Sequence, residues 1–526
     1  MLSIIAIRSD MQCSWNSLGS NHFPVVISYA IPIGCATLRQ PRWKFDQADW
    51  ETFKTQADIT EDMVSSSSTD EACSLYVGDV QISYSSKFLN VAERQIQTNI
   101  NNFTKWTEQN GFVFSTEKTV SVVFSRKRGV FPNPELFSGR SLIKVVKEFK
   151  FLGLIFDQSL RFHRHLKDLK IRSAKVLNIL KVLANTRWGA DRTSLLRLYR
   201  ALIRSKLDYG SVVYSSACKS LLKILDPVHH QGLRLCLGAF RTSPVESLYA
   251  EAYEPPLDLR RKYLCLNHFM KIQSMKTNTA YSYLLNFSLY DFNSHRSSLT
   301  YSQPFHFRIR ELINDLNLKI GRIALCKISE VPPWKVIYPK VDFTLSCYSK
   351  ACTPESTYRT LYLEHRELFS DYEPIFTDGS KSESHVGSVV VSLSTVITDA
   401  LLISASIYTA ELHALRIAIE HISLSRGKKF IIYTDLQSIV SLHSSSHPIL
   451  VVITYALDNH LKKKDIRFCW IPGHAGITGN ELVDTAARSV TGSSERFPIP
   501  HSDLKACFRQ KLQSVWQSNW DKQTEN

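Results

Sequence analysis

At 526 residues and 44% hydrophobic content, the chain is too long for one ordinary domain and too apolar to be disordered. Its 11 cysteines are scattered, with no Cys-x-x-Cys pair and no Cys/His ladder, which argues against a zinc finger and for reduced thiols. The net charge of +16 is uneven: residues 371–495 hold 10 Lys and Arg against 13 Asp and Glu, and the other 401 residues hold 54 against 35.

Residues 140–262 alone carry 24 basic against 10 acidic side chains. A basic body beside a slightly acidic module fits a phosphate-binding surface attached to a cation-binding site. A solvated basic face is the alternative reading. The apolar start, Met1–Arg8, is too short for a secretory signal, and no uncharged run reaches the ~18 residues of a membrane span. The expectation is an intracellular protein, in nucleus or cytoplasm.

In chain order, residues 1–60 read as a fragment with one strand-like run, Phe23–Tyr29. Residues 61–72 are Ser-rich and read as a linker. From 159 to 270, Leu166, Leu169, Ile179, Leu180 and Leu183 fall near helical spacing among Lys and Arg. Such helices, with Trp188, Tyr199 and Tyr209 between them, suit a nucleic-acid backbone. They equally suit an amphipathic bundle with a basic exterior. Residues 271–370 read as an irregular connection, punctuated by Pro332-Pro333-Trp334.

The pattern changes at Glu373. The strand-like runs are Ile375–Asp378, Gly387–Leu393, Val396–Ile403, Phe430–Asp435 and Ile466–Ile471, with a helix from Tyr408 to Leu424. The order β-β-β-α-β-α-β-α predicts a mixed sheet with packed helices. Asp378 ends a hydrophobic strand, before a Gly-Ser turn. Glu411 shares a helical stripe with Leu415, Ala418 and Ile422, whereas Glu420 points away to solvent. Asp435 sits at the C-terminal edge of its strand, where open α/β sheets place ligands. Asp484 follows Val483 and precedes small alanines. Each acid alone is readable as a paired or partly exposed carboxylate. Four at core-facing positions without matching Lys or Arg repel one another, and a hard divalent cation, Mg²⁺ or Mn²⁺, resolves the repulsion.

Several motifs carry resemblances. Ser20-Asn-His-Phe-Pro24 resembles the closing Ser-Asp-His motif of exonuclease-III-like endonucleases from non-LTR retrotransposons, with Asn21 in place of Asp. Leu75-Tyr-Val-Gly-Asp-Val80 resembles the Tyr-x-Asp-Asp hairpin of reverse transcriptases, with Gly78 in place of the first Asp. Gly111–Lys118 and Phe149–Leu154 resemble the following palm motif and the primer-grip strand. Arg187–Asp191, Leu207–Gly210 and Gly238–Pro244 resemble the thumb region of jockey-like elements. With Asp79 as the one acid left and no upstream palm, polymerase activity is expected to be absent.

Thr377–Ser380, Thr409–Leu412, Tyr433–Asp435 and Gly473–Asp484 are similar to the four catalytic blocks of type 1 ribonuclease H. That resemblance implies that Asp378, Glu411, Asp435 and Asp484 bind two Mg²⁺ ions, one for the attacking water and one for the leaving 3′ oxygen. It assigns His474 to proton transfer or product departure. Its substrate is the RNA strand of an RNA/DNA hybrid, cut to 5′-phosphate and 3′-hydroxyl ends. Gly473, Gly476 and Gly479 are read as letting the His474 loop move.

The whole is then a multidomain α/β chain. It has an endonuclease remnant (1–60), a partial palm (73–158), a helical thumb-like region (159–270) and a connection (271–370). An RNase H-like mixed five-stranded sheet with flanking helices (371–492) and a helical tail (493–526) follow. The alternative function is a non-catalytic nucleic-acid-binding retroelement remnant.

Overall fold

Backbone donors and acceptors of an apolar run must find partners inside the fold. In the computed structural model of the chain they do so in two large sheets, one in each of two units. The structure describes residues 2–8 and, short gaps aside, 71–284, 305–325 and 340–522. The Ser20–Pro24 motif, Gly78 and Pro332–Trp334 lie outside the described residues. Among the described residues no helix is long and apolar enough to cross a membrane.

The first unit covers residues 1–210 and 217–232. Its sheet runs in the order Glu71–Tyr76, Asp79–Ser85, Leu2–Arg8, Val120–Phe124, Lys144–Val145. The first two strands form a hairpin that pairs Tyr76 with Asp79. Leu2–Arg8 pairs antiparallel with strands on both sides. The first strand of the 1–60 segment is thus the middle strand of a sheet whose other strands come from residues 71–145. Ile4, Ile5 and Ile7 are β-branched and favour a strand, and the two neighbours satisfy its backbone.

Helices follow, as the spacing predicts. In His163–Leu183 the residues Leu166, Leu169, Leu177 and Leu180 are buried. Ile179, expected on the same stripe, is 48% exposed. Consecutive helical residues lie about 100° apart, and here Leu180 takes the core side of the helix while Ile179 falls at its exposed edge. Trp188 and Tyr209 are exposed, whereas Tyr199 is fully buried with its hydroxyl on His229.

The second unit covers residues 211–216 and 233–526. Its elements are α1 (Leu257–Gln273), α2 (Phe305–Asp315), β1 (Lys340–Asp342), α3 (Glu355–Leu368), β2 (Glu373–Lys381), β3 (Val386–Val391) and β4 (Val396–Leu401). Then come α4 (Ile407–Leu424), β5 (Lys429–Thr434), α5 (Pro448–Leu461), β6 (Asp465–Trp470), α6 (Thr478–Ser489) and α7 (His501–Asp521). The sheet order is β1-β6-β5-β2-β3-β4. The β2-β3-β4 meander is antiparallel, and β1, β6, β5 and β2 pair parallel.

Residues 371–492 supply five strands of this sheet, and a sixth strand extends it. The sixth, β1, comes from the segment read as an irregular connection, which also supplies α2 and α3. Alternation along each strand divides the core into two layers. Ile375, Phe430, Ile432 and Phe468 face α4 and α5. Phe376, Ile431, Tyr433 and Cys469 face α3 and α6. Helix α4 is buried through most of its first three turns, while Glu420 is exposed and pairs with Arg416.

Helix α3 is locked to this second layer. Tyr358 is 1% exposed within it, and His365 lies 3.1 Å from the Tyr433 hydroxyl and 3.2 Å from Asp342 of β1. Tyr358→Ala is expected to cost about 3–5 kcal/mol of stability in chemical denaturation, as a buried aromatic does. A change within about 0.5 kcal/mol, the range of a surface residue, would show that α3 is not part of this core.

Candidate active site

The parallel ladder between β2 and β5 ends at the pair Thr377–Thr434. The next residue on each strand is an acid, Asp378 and Asp435. They lie two residues beyond the stacked Phe376–Tyr433 rings, whose centroids are 5.1 Å apart, on the same face of the ladder. Strand β2 does not turn after Asp378: it runs on to Lys381 against β3, pairing Asp378 with Val389. The sheet thus opens on one side of β2 alone, and the two acids stand at the opening.

Glu411 arrives from the second turn of α4. Oxygens of Asp378, Glu411 and Asp435 lie within 4.8 Å of one another. Gly379 permits this approach, since a Cβ there would sit 2.5 Å from the Glu411 backbone nitrogen. Gly473 has the same role on the other side. A Cβ on it would sit 2.5 Å from Asp435 Oδ2.

The electrostatics follow from burial. Asp378 is 8% exposed. Its pKa is raised to about 6, first by burial and then by the carboxylates of Asp435 and Asp484. Burial, with Asp378 and Asp435 beside it, raises Glu411 well above the usual carboxylate range. The hydrogen bond between the two side chains raises Glu411 and lowers Asp378, which favours the proton on Glu411. Its second oxygen, Oε2, is buried with no hydrogen-bond partner among the described residues. An orphaned carboxylate oxygen facing two further carboxylates is a donor set that fits a hard divalent cation.

Asp484, on α6, stands outside that trio but near enough for its charge to raise the pKa of Asp378. His474 Nδ1 lies 3.3 Å and Arg488 3.0 Å from the Asp484 carboxylate. The expectation of acids without a matching cation therefore fails at Asp484, where a basic residue one turn along the helix reaches back. Glu481, which the sequence reading did not single out, forms a second group with His474 and Asp484 within 4.8 Å.

His474 adopts the left-handed backbone region at φ 52°. A non-glycine residue held there is strained. The bracing of its loop is visible: the Gly476 carbonyl accepts from Arg359 Nε of α3 at 3.1 Å, and the Gly476 N–H donates to Glu481 at 3.3 Å. Of the three glycines read as hinges, only Gly476 has a positive φ, 72°. Gly473 is set by close packing on Asp435, and Gly479 by close packing on the Phe376 ring. Arg359 lies 117 residues before Gly476, and no local pattern links the two.

Comparison with known proteins gives the same region. Residues 371–491 match the RNase H family. The chain is 27% identical over 174 residues to the RNA-directed DNA polymerase from the mobile element jockey of Drosophila melanogaster, covering 32% of this chain and 19% of that protein. The jockey polymerase of Drosophila funebris is 24% identical over 174 residues, with the same two shares. A retrovirus-related Pol polyprotein from a type-1 retrotransposable element of Nasonia vitripennis is 25% identical over 191 residues, 35% of this chain and 46% of that protein. The match thus spans about a fifth of the length of the jockey polymerases.

The raised pKa of Asp378 has a measurable sign. The folded state holds the Asp378 proton up to about pH 6, and the unfolded chain releases it near pH 4. Stability is therefore lost as pH rises through that window and stays lower above it. In chelator at pH 7.5, Asp378→Asn is expected to be more stable than wild type by about 1–3 kcal/mol. The gain should vanish near pH 4. Equal or lower stability of the variant at pH 7.5 would contradict this electrostatic account.

Proposed function

Starting from a jockey-like retrotransposon polyprotein with an RNase H domain over residues 371–491, we propose metal-dependent hydrolysis of the RNA strand of an RNA/DNA hybrid. The observation that carries this reading is the cluster of Asp378, Glu411 and Asp435, with oxygens within 4.8 Å of one another and the buried Oε2 of Glu411 unpaired among the described residues. In this reading Asp378, Glu411, Asp435 and Asp484 hold two Mg²⁺ ions, for which Mn²⁺ can substitute. When bound, such a pair supplies positive charge where the attacking and leaving oxygens become negative.

The chain's own residues do the rest. Asp378 fixes the line between Glu411 and Asp435, and its strand cannot shift without breaking the β3 register. Asp484 holds His474 Nδ1, so Nε2 is the ring nitrogen that exchanges a proton with the substrate or product. Arg488 offsets part of the Asp484 charge and keeps its carboxylate turned into the cleft. RNA is distinguished from DNA by a contact to its 2′-hydroxyl. The basic helical region of residues 159–270 binds the nucleic-acid backbone. Gly78 stands where the polymerase motif has an acid, so the chain is proposed not to extend primers.

The purified chain should cut the RNA strand of an end-labelled hybrid with Mg²⁺ present. Asp378→Asn should slow the cut by more than about 100-fold, the upper range even for an outer-shell defect. Equal cleavage by the two proteins would overturn the assignment. Salt-dependent binding of the hybrid without any Mg²⁺-dependent cut would favour a non-catalytic nucleic-acid-binding protein instead.

A further inference from the structure

Helix α7 begins ten residues beyond the family match, at His501, yet it reaches back to the helix that carries Glu411. Asp503, in its first turn, is 7% exposed. A buried carboxylate needs donors, and all the hydrogen bonds described between Asp503 and another helix go to the start of α4. Its Oδ2 accepts from the Ser406 backbone N–H at 2.9 Å and from the Thr409 hydroxyl at 2.6 Å. Its Oδ1 lies 3.0 Å from Ser406 Oγ. Ser406 is the N-cap of α4, accepting the Thr409 N–H at 3.1 Å. Asp503 thus caps the cap and places a negative charge at the positive end of the α4 dipole.

Glu411 is two residues after Thr409. The intervening Ala410 carbonyl accepts from Ser388 of β3 at 2.8 Å. The first turn of α4 is therefore gripped from two sides, by the sheet through Ser388 and by α7 through Asp503. Helix α7 is itself held, with Leu504, Phe508 and Leu512 buried against Leu259, Leu266 and Met270 of α1. We infer that Asp503 is a positioning residue for Glu411, so that α7 is an integral part of the cation site although it lies outside the family match. This rests on the reading of Asp378, Glu411 and Asp435 as cation ligands.

The test measures Mn²⁺ binding to the full chain without substrate, by the electron-spin resonance signal of free Mn²⁺. Alongside it runs the Mg²⁺ dependence of hybrid cleavage. Asp503→Ala should weaken Mn²⁺ binding about 10-fold or more, as loss of an outer-shell partner does. The Mg²⁺ concentration for half-maximal cleavage should rise in parallel, while KM for the hybrid stays within about two-fold. Asp503→Asn keeps the shape but presents an amide N–H to one set of donors, and it should shift binding in the same direction. Leu512→Ala loosens α7 without touching the cap. It should lower the denaturation midpoint and leave Mn²⁺ affinity unchanged. Wild-type Mn²⁺ affinity in both Asp503 variants would overturn the inference, as would equal weakening by Leu512→Ala. A wild-type chain whose Mn²⁺ binding is indifferent to Asp378→Asn would overturn the ligand reading beneath it as well.

Discussion

Three carboxylates held within 4.8 Å of one another in a largely buried site cannot all stay ionised by themselves. Asp378 and Glu411 are hydrogen-bonded to each other, and burial with the neighbouring carboxylates raises the pKa of both. A fold that keeps such a cluster has to force it, and the second unit does so by register. The β2–β5 ladder stops one residue before both aspartates, so that neither can move away along its strand. Two glycines, Gly379 and Gly473, then let backbone approach where any side chain would collide with Glu411 or Asp435.

The parts that brace the cluster are spread over the chain. Helix α3, before the family match, reaches the His474 loop through Arg359 and the sheet through Tyr358 and His365. Helix α7, after it, reaches the N-terminus of α4 through Asp503. Strand β1 adds a sixth strand beside β6. Four acids supply the chemistry in the proposed reading, and residues far from them in sequence fix where those acids sit. The strained φ of His474 is kept by the same means, between Asp484 on one side and the Arg359–Gly476 contact on the other.

What the sequence made legible is what local periodicity encodes. An acid that ends a run such as Phe430–Thr434, or that shares a stripe with Leu415 and Ala418, betrays its inward position, and the element order predicts a mixed sheet. Arg488 is legible too, as the i+4 partner of Asp484. Contacts that depend on distant pairing had no such signal. Asp503 and Thr409 are 94 residues apart, and β1 is three residues in a stretch without obvious pattern. Leu2–Arg8 reads as an isolated apolar start until the strands Asp79–Ser85 and Val120–Phe124 flank it. Ile179 is exposed because spacing alone does not say how wide the buried stripe of His163–Leu183 is at its C-terminal end.

The central claim is that the acid cluster exists to hold cations. The most direct measurement is anomalous diffraction from crystals of the chain grown with MnCl₂ and an RNA/DNA hybrid. The account predicts anomalous density within coordination distance, about 2–2.6 Å, of oxygens from Asp378, Glu411, Asp435 and Asp484. Mn²⁺ bound elsewhere on the chain, with Asp378 and Glu411 still hydrogen-bonded to each other, would contradict it.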